Sequence, residues 1–244
     1  MIYVNAKIGM GKTNLTTLLS ADLGTQAFYE RVDDMPMLHK FYEAGEESRL
    51  ALAFPLQVAF LNYRYAQLRK GLELAEHQGM RNTVYDSSLL SDGLMAGNLF
   101  RRGEFPEEEY RLYQELSQNM QANVSGHPFN GFPDLVIYLG GSFDTMLKHI
   151  ALRDRGMESL DDDKVAYFKD VHNTYENWAN SYASSPMLAI DMDKVDYVNS
   201  DEDMVRVLNQ IEDFMVSLSL LTPQEAQDIR DNRDLDKLKE SLND

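Results

Sequence analysis

The chain of 244 residues has no cysteine, one tryptophan and seven prolines. Without cysteine there is neither a disulfide framework nor thiol chemistry, which suits a reducing compartment. No apolar stretch approaches a membrane span, and no leader is visible ahead of a β-prone run that begins at residue 2. Basic residues are scarce, 23 against 40 acidic, for a net charge of −17. Such a field repels phosphate backbones and anionic lipid, so neither nucleic acid nor a membrane is an expected partner. These absences predict a soluble, cytoplasmic protein. Internal repeats are absent too, and the length suits one α/β domain with a substantial core.

What the chain does have is concentrated at its start. Ala6, Lys7, Ile8, Gly9, Met10, Gly11, Lys12 and Thr13 follow the β-prone run Ile2–Asn5 and precede Asn14–Leu19, whose apolar spacing suits a helix. Strand, glycine turn and helix, with the turn closing on Gly-Lys-Thr, is the context of a phosphate-binding loop. The glycines let successive N–H groups converge on phosphate oxygens. Lys12 is placed to neutralise the β/γ-phosphates of ATP, and the Thr13 hydroxyl to ligate Mg²⁺. Ala6 stands where the pattern usually has its first glycine.

Further strands are expected at Gln26–Glu30, Thr83–Asp86, Asp134–Leu139 and Met187–Ile190. The continuous apolar run in Asp134–Leu139 is what a strand buried on both faces requires. Helices are expected from Pro36, over 48–74 with Pro55 as an interruption, and over 107–122, 142–152, 161–182 and 200–219; residues 123–133 read as a loop. The alternation predicts a five-stranded parallel sheet with helices on both faces and a cleft at the carboxyl ends of the strands. Residues 1–218 form this expected domain, and 219–244 an acidic tail, helical or disordered.

Phosphoryl transfer to a hydroxyl needs a triphosphate cradle, a metal, a base and cations for the developing charge. Glu30, at a strand end, can accept the hydroxyl proton, and Asp86, one strand over, can hold Mg²⁺. Arg153 and Arg155, after a helix, can close over the phosphates. Gln57 and Arg64, seven apart on one helix face, and Asp92 supply the donors and acceptors that read a nucleobase edge.

These residues resemble the deoxynucleoside kinase family, especially its bacterial deoxyadenosine/deoxyguanosine kinases, from Met1 to about Leu218. The resemblance implies Glu30 as general base and Gln57, Arg64 and Asp92 as base readers. It also implies Arg153 and Arg155 as lid arginines, Glu158 and Tyr42 at the sugar 3′-hydroxyl, and Asp196 and Tyr197 beside the donor adenine. Dimers, homodimeric or with a related kinase, are implied as well. Three positions depart from the family pattern: Ala6, His149 in place of a lid arginine, and Ser87 in place of the arginine that steadies the 5′-oxygen. Lys7 and Arg31 are candidates to replace that cation. The expected reaction moves the γ-phosphate of ATP to the 5′-hydroxyl of a deoxynucleoside, a purine one by the resemblance. The alternatives are a nucleoside monophosphate or other small-molecule kinase, or a weakly active regulatory subunit of a kinase dimer.

Overall fold

A computed structural model describes residues 1–30, 35–43, 46–124, 127–128, 132–153 and 162–242. Five parallel strands form one sheet: β1 (Ile2–Ala6), β2 (Ala27–Phe28), β3 (Val84–Asp86), and β6 (Leu135–Gly140) with β7 (Met187–Asp191), in the order β2-β3-β1-β6-β7. Every residue of β1 and β3 is buried, as is all of β6 except its last residue. Continuous apolar runs form these strands because helices cover both faces. The register sets Val4 beside Asp86 and Phe28 beside Tyr85, so three strand ends open on one side of the molecule.

Ten helices are described: α1 (Lys12–Asp22), α2 (Pro36–Glu43), α3 (Glu46–Gln78), α4 (Leu89–Arg101), α5 (Glu107–Ala122), α6 (Phe143–Arg153), α7 (Asp162–Ser181), α8 (Asp201–Ser217), α9 (Pro223–Asn232) and α10 (Leu235–Ser241). One core joins β1, β6 and α1 to α6, α7 and α8; a second joins α2, α3, α4 and α5 through Leu56, Leu61, Leu99 and Phe105.

Two expectations need correction. Pro55 does not interrupt its helix, because α3 continues through it. A proline costs one amide bond, here the one to the Ala51 carbonyl, and the apolar side chains on either side, Ala53 and Leu56, are buried regardless. Within the expected loop, β4 (Asn123–Val124) and β5 (His127–Pro128) pair as a small antiparallel hairpin. Of the two readings of residues 219–244, helical or disordered, the described part to 242 is helical: α9 starts on a capping box built by Thr222 and Glu225, and Leu221, Ala226 and Leu238 belong to the main core.

Candidate active site

The phosphate loop runs from the end of β1 into α1. Gly9 and Gly11 have φ of 78° and 84°, a region closed to most L-residues, and a Cβ on Gly11 would meet the Tyr197 hydroxyl at 2.5 Å. Ala6 belongs to β1 and is not among the positive-φ residues, so the missing first glycine leaves the turn intact. Gly11 caps α1 without any side-chain hydrogen bond. The first amides of α1 therefore keep their donors for an outside acceptor, at the positive end of the helix dipole.

The Thr13 hydroxyl donates to Asp86 Oδ2 at 2.6 Å, which the parallel pairing of β1 and β3 brings within reach. The other oxygen, Asp86 Oδ1, is buried without a hydrogen-bond partner. A hydroxyl beside a carboxylate with one unused oxygen fits Mg²⁺, a cation that keeps much of its shell as water and phosphate. Bound there, the ion would neutralise charge on the transferring phosphates.

Arg64, inside α3, joins the acids. Its Nη2 donates to Glu30 Oε1 at 2.5 Å and its Nη1 to the Asp86 carbonyl at 3.3 Å. Its Nε lies 3.3 Å from Asp92 Oδ2, without the geometry of a hydrogen bond, and both atoms are buried with no other partner. Burial opposes the Arg64 charge, but Asp92, Glu30 and Asp86 outweigh it and hold its pKa above the ordinary value. Burial pushes the Asp92 carboxyl up to about 6, with Arg64 pulling it down and Glu30 adding to the rise.

These elements surround a cavity of about 300 Å³. Lys12, Thr13 and Asp86 line it together with Glu30, Ser87, Gln57, Asp92, Phe60 and Arg153. Gln57 Oε1 is buried without a hydrogen-bond partner, like Asp86 Oδ1. Unsatisfied buried polar atoms are costly, so several converging on one hollow mark a place for a polar ligand. Arg64 does not line the hollow; it stands behind Glu30 and Asp92.

Two sequence readings change here. Lys7 is buried and holds Glu176 and the Gly141 carbonyl, so its ammonium does not supply the cation missing at Ser87. Tyr197 is buried too, its hydroxyl donating to the Gly11 carbonyl at 2.9 Å; it braces the phosphate loop and offers no face to an adenine. Asp196 takes hydrogen bonds from Asn199 and shapes the turn before α8. Arg31, Arg155, Glu158 and the Tyr42 side chain lie outside the described residues. Sequence reasoning missed Tyr175, which lines the cavity from α7, and the Arg64–Glu30 pair, whose 34-residue separation carries no local signal.

The sequence model of the deoxynucleoside kinases matches residues 2–216. The chain is 39% identical over 213 residues to a deoxyguanosine kinase of Lactobacillus johnsonii, covering 86% of this chain and 90% of that one. It is 34% identical over 215 residues to a deoxyadenosine kinase of Lactobacillus acidophilus, covering 87% and 95%. Among solved structures, deoxyadenosine kinase from M. mycoides with bound products superposes with a TM-score of 0.68 at 21% identity, covering 87% of this chain and 98% of that one. A parallel sheet with a phosphate loop facing a polar hollow has the parts of a nucleotide-dependent enzyme, and the matches make it a phosphotransferase. Within that class, the chain belongs to the deoxynucleoside kinase family.

Proposed function

We propose that the protein transfers the γ-phosphate of ATP to the 5′-hydroxyl of a purine deoxynucleoside, deoxyadenosine or deoxyguanosine. The observation that carries this reading is one hollow lined both by the phosphate loop, through Lys12 and Thr13, and by Gln57 and Asp92, with Gln57 Oε1 buried and without a hydrogen bond. The two Lactobacillus kinases named above carry deoxyguanosine and deoxyadenosine in their names.

In this reading the loop amides and Lys12 hold the triphosphate, and Thr13 and Asp86 hold Mg²⁺. The Glu30 carboxylate takes the proton of the 5′-hydroxyl as that oxygen bonds the γ-phosphorus and the bond to the β–γ bridging oxygen breaks, leaving ADP. Arg64 keeps Glu30 aimed, while Gln57 and Asp92 meet the base. Arg153 and Arg155 close on the phosphates, and Tyr42 and Glu158 meet the sugar. Tyr197 serves the donor side through the phosphate loop it braces, and Asp196 through the turn that carries Tyr197. A cytoplasmic site of action and pairing with a second kinase chain belong to the same proposal; the acidic, cysteine-free composition suits the former.

Labelled ATP offered with a panel of deoxynucleosides and their monophosphates tests it. Product from the purine deoxynucleosides is expected, and Glu30→Gln should lower kcat by about 10²–10⁴. Phosphorylation of monophosphates alone would overturn the assignment of the acceptor.

A further inference from the structure

Lys7 is the second residue of the phosphate loop, where a cation would be expected to face the ligand. It faces the other way. The side chain is wholly buried, its Nζ donating to the Gly141 carbonyl at 2.6 Å and lying 2.5 Å from Glu176 Oε1. The Tyr138 hydroxyl donates to the same Glu176 oxygen at 3.1 Å. Burial works to raise the Glu176 pKa, but the bond and charge of Lys7 prevail and hold it below the ordinary carboxylate value. A buried ammonium stays ionised only with such partners, so turning it toward a phosphate would mean abandoning both.

The same residue shapes the turn. The Lys7 carbonyl accepts from the Met10 N–H at 3.4 Å, across the loop that presents amides to the ligand. Glu176 in turn sits on α7 next to Tyr175, which lines the hollow. Neighbouring helical residues point about 100° apart, so α7 gives one side chain to the loop's anchor and the next to the acceptor wall.

We infer that Lys7 is a positioning residue, holding the phosphate loop from behind through Gly141 and Glu176 and joining the donor loop to the α7 wall of the acceptor cavity. The inference rests on the phosphotransfer reading above. It assigns Lys7 no contact with the nucleotide and gives Glu176, outside the hollow, a part in binding both substrates.

Four variants decide it: Lys7→Met, Glu176→Gln, the two combined, and Lys7→Arg. ATP affinity is read by calorimetry, and KM and kcat for the nucleoside by steady-state rates. Each single change should weaken ATP binding about tenfold and also raise the nucleoside KM, and the double variant should be no worse than the poorer single, as for two members of one contact. Lys7→Arg, which keeps the charge, should recover part of the loss. If Lys7→Met weakens ATP binding while Glu176→Gln leaves it unchanged, Lys7 touches phosphate and the inference is overturned. Additive losses, or none, overturn it as well. Should Lys7→Met not fold, Glu176→Gln decides alone, because it alters only a half-exposed carboxylate. Lys12→Ala, run beside them, separates the two levels: full ATP affinity in that variant would remove the phosphotransfer reading itself, whatever Lys7 does.

Discussion

Ser87 holds a backbone conformation that L-residues avoid, with φ of 75°, directly after Asp86. Such a residue costs on the order of 1 kcal/mol and persists where its surroundings dictate the geometry. Here the next residue, Ser88, caps α4 and bonds Asn5 of β1, so the chain must turn sharply at Ser87. Ser87→Gly should therefore raise the melting temperature by roughly 2–4 °C, the shift expected for about 1 kcal/mol in a domain of this size; an unchanged or lower midpoint would refute the strain. Asp92 gives a second expectation. Its carboxyl is raised from the ordinary 3.8 to about 6 chiefly by burial. The folded state then holds that proton more tightly than the unfolded one, so this group's contribution to stability falls as pH rises between those values. Denaturation midpoints of Asp92→Asn should lack that slope. If the ionised carboxylate reads the base, the nucleoside KM should also climb below about pH 6 in the parent and be high at every pH in Asp92→Asn.

Among the elements, the strands of the parallel sheet and the loop between β1 and α1 could be read from the sequence, because buried parallel strands are rich in apolar residues and Gly-Lys-Thr ends a glycine turn. Helix α4 was not legible: Gly93, Gly97 and Asp92 interrupt the apolar periodicity, and the helix is secured instead by its Ser88 cap and the burial of Leu89, Ala96 and Leu99. The acids and Gln57 that surround the cavity were legible as strand-end and helix-face polarity. What each side chain does with its neighbours was not. Arg64 standing behind Glu30, Lys7 turned from the ligand and Tyr197 bonded to Gly11 are pairings across the fold that no local pattern encodes. The join between α9 and α10 shows the same limit. Arg233 donates to both oxygens of Asp22, the last residue of α1, at 2.7 and 2.9 Å, and also to Glu212 of α8. All three are buried, and burial pushes the Glu212 carboxyl up to about 7 against the pull of Arg230 and Arg233. Arg233→Ala strands the Asp22 carboxylate and leaves Glu212 with Arg230 alone, and should destabilise the protein by about 3–5 kcal/mol near neutral pH. The loss should shrink as pH falls and Glu212 takes a proton; a penalty independent of pH would argue against stranded charge as its cause.

At the scale of the whole molecule, the family match ends at residue 216 while the core continues past it. Leu221, Ala226 and Leu238 complete the packing over α1 and α8, so residues 219–242 are packed into the fold. Deleting them should cost more stability than Arg233→Ala, because it exposes apolar surface as well as stranding both Asp22 and Glu212. A truncated chain with the parent's denaturation midpoint would show that this packing contributes nothing.

Asp22 and Arg233 are 211 residues apart in the chain. At typical ribosomal speeds of about 5–20 residues per second, roughly 10–40 s pass between the synthesis of the two. Throughout that interval the far end of the first helix lacks its counter-charge, so α1 settles into its final ion pair only after Arg233 has been made.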